Sequence, residues 1–308
     1  MVSFMRLIGA GIAAAMMLAT PALSVAQPQS VTIRHASGET VLKAQPKTVA
    51  VFDLASLDIL DVLGIEVAGV PGGHRPGHLK KFDDDRYVKI GSLFEPDYEA
   101  VNALAPDLII IGERSRAKYA SLARIAPTID LTVIPGDPYG SVIRNVRTLA
   151  GLFGKESVAE EKLRVLQASI DALKSKAAGI GSGLIILTTG GRMTAYGPGS
   201  RFGLIHEAFG IEPAAPDLRI GTHGQPISFE FLQKVNPDWL FVIDRDAGLG
   251  RPDSARKLLD NALVGRTTAW RMGQVVYLDS VNWHLVNGGL TATQAAVDQL
   301  AEAFAKAR

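Results

Sequence analysis

A chain of 308 residues with 47% hydrophobic and 20% charged side chains has the composition of a folded protein and is long enough for two cores. Its 32 Lys+Arg against 31 Asp+Glu give a net charge of +1, which excludes bulk electrostatic attraction for nucleic acid or an anionic membrane. With no cysteine there is no disulfide scaffold and no thiolate chemistry, so any anion or metal site must be built locally from other side chains.

Residues 1–26 read as a secretory signal peptide. They carry one charged side chain, Arg6, an apolar run from Leu7 to Leu18, and the small-x-small tripeptide Ser24-Val25-Ala26. The run is shorter than the ~20 apolar residues of a spanning helix. Without a cysteine at the cleavage site, the product is expected to be free in the periplasm and not lipid-anchored. Removing Arg6 takes Lys+Arg from 32 to 31, against 31 acidic residues, so the mature chain is close to neutral.

Residues 31–43 alternate around Ser37-Gly38 and predict a hairpin. A strand is expected at Thr48 to Phe52, a helix at Leu54 to Leu63 closed by Gly64, and a strand at Val67 to Val70. Gly72 to Asp85 is polar and rich in Gly, Pro, Lys and Asp, which predicts a surface loop holding His74 and His78. A helix follows at Tyr98 to Leu104, then strands at Leu108 to Ile111 and Leu131 to Ile134. Glu156 to Ala177 has no Gly or Pro and predicts a helix of more than five turns, with Val158, Leu163, Val165, Leu166, Ile170 and Leu173 as its apolar positions. Strands resume at Leu184 to Leu187, Trp239 to Ile243 and Val275 to Leu278, and an amphipathic helix closes the chain from Thr291 to Ala307.

Two blocks echo each other across the long central helix. Glu99-Ala-Val-Asn-Ala-Leu-Ala-Pro106-Asp107 precedes the apolar run LIII, and Glu230-Phe-Leu-Gln-Lys-Val-Asn-Pro237-Asp238 precedes WLFVI. A weaker echo pairs LDVLGI ending at Ile65 with HEAFGI ending at Ile211. The order predicts an α/β fold of two Rossmann-like lobes, residues 27–154 and 179–308, joined by a single long α-helix at 155–178. One larger α/β domain is the alternative. A cleft between lobes is the natural ligand site, and a helical linker predicts a small opening motion.

Arg114 lies just beyond the strand LIII, with Arg116 near it, and Arg245 occupies the matching place after WLFVI. Strand ends are where open α/β sheets hold ligands, and guanidinium groups there suit paired anionic oxygens. Arg201 follows the turn Gly197-Pro198-Gly199-Ser200. That turn is one residue too long for a dinucleotide loop, and Pro198 removes a donor, but a helix N-terminus beside Arg201 favours an anion. His223, in Thr222-His223-Gly224, and His284, after Trp283, are the histidines with the most suggestive settings. There is no nucleophile elbow, the i, i+4 histidine pair His74 and His78 falls in the Gly- and Pro-rich loop, and no third metal ligand or poised acid or base has convincing spacing, which weighs against an exported metalloenzyme.

The mature chain resembles the periplasmic ferric-siderophore-binding proteins of ABC importers, the helical-backbone (class III) binding proteins, and among them those for catecholate siderophores. The resemblance rests on AYGPGSRFG at 195–203, THG at 222–224, VNPDWLFVIDR at 235–245 and LDSVNWHL at 278–285. A more widely shared block, GSLFEPDYE at 91–99, extends it to binding proteins for haem and vitamin B12, so haem or a cobalamin is the rival ligand. The resemblance implies a shallow cleft in which Arg114, Arg201 and Arg245 contact an anionic chelate. It implies that Fe(III) arrives as cargo with no intrinsic cofactor, that His223 and His284 contact iron with Trp283 beside them, and that the protein is a monomer. The family's second iron ligand is a tyrosine where this chain has His284, so His284 either ligates iron or only hydrogen-bonds a saturated complex. Ligation needs neutral imidazole, so affinity is expected to weaken below pH ~6.5. Glu99 and Glu230, one on each lobe, are implied to dock on arginines of an inner-membrane permease.

Overall fold

The computed structural model describes residues 30–219, 223–248, 251 and 254–307. The signal-peptide reading of 1–26 lies outside the described residues, as does Thr222 of the motif before Gly224. An antiparallel hairpin opens the structure, β1 (Val31–His35) against β2 (Gly38–Leu42).

The first sheet is parallel throughout. It contains β3 (Val49–Val51), β4 (Gly69–Val70), β5 (Val88–Lys89), β6 (Leu108–Ile111) and β7 (Thr128–Asp130), in the order β5-β4-β3-β6-β7. Every residue of the LIII run is buried, as expected of a central strand covered on both faces. The second sheet comprises β8 (Ser182–Thr189), β9 (Arg192–Tyr196), β10 (Glu212–Pro213), β11 (Gln225–Ile227), β12 (Trp239–Asp244) and β13 (Val275–Leu278). Its order is β11-β9-β8-β12-β13, with β10 pairing β8; β8, β12 and β13 run parallel, and β9 turns back antiparallel on β8.

The echoed blocks build the same corner in each lobe. Helices Tyr98–Leu104 and Phe229–Val235 end on Ala105 and Asn236, both left-handed, with φ of 48° and 46°. The next residue is proline, which cannot continue the helix. The aspartate after it ties down the lobe's first strand. Asp107 accepts the N–H groups of Lys47 and Thr48, each at 2.9 Å, and Asp238 accepts the Ser182 N–H at 2.7 Å and its hydroxyl at 3.0 Å.

The helix Glu156–Ala177 joins the two sheets. Its buried face is Ala159, Leu163, Leu166, Ile170, Leu173 and Ala177, a stripe at helical spacing, whereas Val158 and Val165 face solvent, contrary to the sequence reading. The C-terminal helix Leu290–Lys306 packs on it and on the first-lobe helix Leu54–Val62. One apolar cluster therefore runs from Leu57 and Leu60 through Leu163 and Ile170 to Phe241 and Phe304. Across the lobes, buried Asp58 also accepts the Thr291 N–H at 2.7 Å.

Three other expectations shift. β7 covers 128–130 and not 131–134, because buried Asp130 closes it, taking the Ser37 hydroxyl at 2.6 Å and the Thr132 N–H at 3.0 Å. The 72–85 segment is no simple surface loop, since the turn Gly77–Asp83 buries Leu79 and Phe82, and Arg75 is buried on Asp83 at 3.0 Å. An unanticipated helix, Pro138–Phe153, is capped by the Asp137 carboxylate on the Gly140 N–H and stopped by left-handed Gly154.

Candidate functional site

Both sheets reverse their strand order between two central strands, β3 and β6 in the first lobe and β8 and β12 in the second. The segments leaving β6, β8 and β12 open onto one cleft of about 800 Å³. Glu113, Arg114, Arg201, His223, Arg245 and His284 line it, with Phe94, Tyr196, Thr189 and Thr194.

Arg114 leaves β6 through Gly112, where a Cβ would stand 2.5 Å from the Asp53 carboxylate, so glycine is required there. Its Nη2 donates to the His284 carbonyl at 2.5 Å and its Nη1 to that of Leu285 at 3.5 Å. Burial, then the neighbouring Arg201 charge, lowers its pKa to about 10, and it stays cationic at neutral pH. Arg201 reaches the same carbonyl from the second lobe, with Nη2 at 3.2 Å, and its guanidinium lies 4.9 Å from the Phe202 ring centroid. Asn287 donates to the Arg201 carbonyl at 2.9 Å. Arg245 follows β12 and is exposed, donating no hydrogen bond to the described residues.

The expected anion site at the helix after Arg201 is taken by the protein itself. That helix is short, Leu204–Glu207, and the Gly199 N–H donates to the Glu207 carboxylate. Arg116 is also turned elsewhere, onto Asp130 at 3.2 Å and the Ala36 carbonyl at 2.9 Å.

His284 sits in a π-helical turn, Val281–Leu285, a distortion that re-aims side chains. Its ring enters the cleft, and Nδ1 is buried with no hydrogen-bond partner among the described residues. Burial first, and then the charges of Arg201, Arg114 and Arg245, depress its pKa to about 3. The imidazole is neutral at ordinary pH. This corrects the expectation of protonation near 6.5, as far as His284 is concerned. His223 is exposed and lines the same cleft, just before β11. The turn is fixed by Gly224 at φ 64°, where a Cβ would lie 2.6 Å from the Ala195 carbonyl.

Trp283 does not face the cleft, which corrects its placement among the ligand contacts. It is buried, edge-on to Phe209, with its indole N–H donating to Gln299 at 3.3 Å. Sequence reading missed Glu113, Phe94 and Tyr196. The first adjoins Arg114, the second lies in the widely shared 91–99 block, and the third in the AYG motif, so each stood inside a stretch already singled out. Burial raises the Tyr196 pKa, keeping its phenol protonated. Glu99 and Glu230 lie outside the cleft, exposed in the first turns of the two echoed helices.

The wall thus offers three guanidinium groups, two imidazoles and an aromatic rim. Among the described residues no three His, Cys, Asp or Glu side chains converge as a metal site, and no helix is long and apolar enough to cross a membrane.

The family model described as a periplasmic binding protein matches residues 49–281. The chain belongs to the periplasmic binding protein family. The petrobactin-binding protein YclQ of Bacillus subtilis (strain 168) is 39% identical to this binding protein over 283 residues, 90% of this chain and 89% of YclQ. The YclQ crystal structure matches with a TM-score of 0.86, over 90% of this chain and 99% of the other. The periplasmic catecholate-siderophore binding protein VctP of Vibrio cholerae matches at 33% identity and a TM-score of 0.82, over 89% and 100% of the two chains. The ferric-anguibactin-binding protein FatB of Vibrio anguillarum (strain ATCC 68554 / 775) is 28% identical over 281 residues, 89% of this chain and 87% of FatB. The family is one of substrate-binding proteins, and the architecture is the α/β, class III form of it.

Proposed function

We propose that this protein captures a ferric siderophore, of the catecholate class, in the periplasm and delivers it to an inner-membrane ABC permease. The observation that carries this reading is the convergence of Arg114, Arg201 and Arg245 with two histidines on one open cleft at the strand ends of both lobes. A ferric catecholate is an anion rich in oxygen acceptors with flat aromatic arms. Guanidinium forks donate to such oxygens and lie against such rings, and exposed Phe94 offers a further aromatic face. Petrobactin binding by YclQ, catecholate-siderophore binding by VctP and ferric-anguibactin binding by FatB support the same assignment.

Iron is cargo in this scheme. His284, held neutral, and His223 both line the cleft and supply nitrogen donors to a chelate that leaves iron sites open; against a saturated chelate the same rings form hydrogen bonds. Glu99 and Glu230, exposed at matching positions on the two lobes, are the residues that meet the permease, one per lobe, with the protein acting as a monomer. Residues 1–26 direct export.

The test is a titration of tryptophan fluorescence with a ferric bis-catecholate, a ferric tris-catecholate, a ferric hydroxamate and haem. Trp283, next to His284 in the chain and buried in the core, serves as reporter. Saturable quenching by a catecholate, weakened in Arg245→Ala, is expected. A response to haem or hydroxamate with none to either catecholate overturns the assignment. Loss of bis-catecholate binding in both His223→Ala and His284→Ala marks the imidazoles as iron ligands; retention marks them as hydrogen-bonding groups.

A further inference from the structure

The cleft contains a carboxylate that an anion site does not need. Glu113 stands between β6 and Arg114 and lines the cavity, and its side chain keeps 35% of its exposure. Its one ion contact is loose, 3.7 Å to Arg201, and among the described residues it accepts no hydrogen bond. Neighbouring Asp53, by contrast, is spent on the protein: its carboxylate accepts the Ser56 N–H at 2.8 Å and the Ser56 hydroxyl at 2.7 Å.

Nor does Glu113 hold the arginines in place. Arg114 and Arg201 both donate to the His284 carbonyl, and Arg201 also packs on Phe202. For a ligand presenting only anionic oxygens, a carboxylate at this wall is repulsive and lowers affinity. It favours a ligand only where that ligand brings a positively charged donor to the same wall.

We propose that Glu113 is a specificity-determining residue that pairs with an ammonium group on the backbone of the ferric chelate, next to the anionic oxygens held by the arginines. The ligand class is then an amine-bearing ferric catecholate, and uniformly anionic chelates are selected against. This rests on the ferric-catecholate reading of the cleft. Arg201 and Arg114 take the catecholate side, and Glu113 beside them takes the cationic linker.

The experiment uses two synthetic ferric bis-catecholates of equal denticity and linker length, one with a secondary amine that is protonated at pH 7 and one with an ether oxygen in its place. Both are titrated against the wild type and Glu113→Gln, with thermal unfolding confirming that the variant is folded. The wild type is expected to bind the amine chelate about tenfold more tightly, as a charge-assisted hydrogen bond provides. Glu113→Gln is expected to lose that preference while binding the ether chelate at least as tightly as the wild type does. Three results overturn the proposal: no preference in the wild type, an unchanged preference in the variant, or equal weakening of both chelates, which would make Glu113 a positioning residue for Arg201. Binding of neither chelate to the wild type instead overturns the ferric-catecholate reading on which the proposal rests.

Discussion

The two lobes start alike and end differently. Each pins its first strand with the aspartate of a Pro-Asp pair and sends an arginine out of the strand that follows, Arg114 in the first lobe and Arg245 in the second. The first lobe, whose five-stranded sheet is all parallel, keeps its arginine half-buried and fastens it to the backbone of the other lobe. The second folds β9 back on β8, and that antiparallel hairpin with β11 carries Tyr196, Arg201 and His223 to the cleft wall. One scaffold thus yields two kinds of arginine. Arg114 is a clamp between lobes as well as a charge, while Arg245 is a charge alone.

Truncating each arginine breaks the comparison most directly. Arg114→Ala removes two hydrogen bonds to part-buried carbonyls at the lobe junction, one of which Arg201 still satisfies, and is expected to cost about 1–2 kcal/mol of stability as well as most of the chelate affinity. Arg245→Ala is expected to lower chelate affinity roughly tenfold while leaving stability within about 0.5 kcal/mol. Urea unfolding beside the fluorescence titration separates the two. Equal loss of stability in both variants would erase the distinction between clamp and free charge.

His284 extends the contrast to pH. Its folded-state pKa of about 3 lies below the ordinary histidine value of 6.5, so on acidification the unfolded chain takes up the proton first. The stability contribution is therefore complete above pH 6.5 and is lost as pH falls from there toward 3. Between pH 7 and pH 5 the loss due to this ring is at most about 2 kcal/mol. His284→Ala should shrink the difference in urea midpoint between those two pH values, and an unchanged difference would show that the ring is not held neutral. Over the same range the contribution of His284 to chelate binding should stay constant, because the ring is already in its neutral form.

The parts of the fold legible in the sequence were those governed by local rules. The echo around Pro106 and Pro237 marked the two lobes because helix, stop and buried strand must follow one another within about a dozen residues. The long helix was legible because nothing in 156–177 interrupts it, although Val158 and Val165 were misassigned: Ala159, at helical spacing from Leu163 and Leu166, is on the buried face instead. β7 was misplaced because it ends on Asp130, and a carboxylate is buried only where distant partners such as Ser37 satisfy it. The three cleft arginines were legible from their strand-end positions. Trp283 was misread because adjacent residues of any helical turn face different sides, leaving His284 in the cleft and Trp283 in the core. Glu113 escaped because a carboxylate beside an arginine reads as an ordinary surface pair until the cavity shows it accepting no hydrogen bond among the described residues and only a loose contact with Arg201.

The smallest expected effect lies where the lobes match most closely. Ala105 and Asn236 occupy the same left-handed position, yet only asparagine is suited to it. Asn236 also accepts the Thr268 N–H at 2.7 Å through its side chain, whereas Ala105 is exposed and contributes a Cβ in a conformation that disfavours one. Ala105→Gly relieves that strain at the cost of extra freedom in the unfolded chain, and a net gain of about 0.5 kcal/mol in urea unfolding is expected. Asn236→Gly relieves little and deletes a hydrogen bond, so it should lose about 1 kcal/mol. Opposite signs at equivalent positions would show that each lobe has settled the same backbone problem separately; the same sign in both would mean that the shared φ, and not the side chain, sets the stability of the corner.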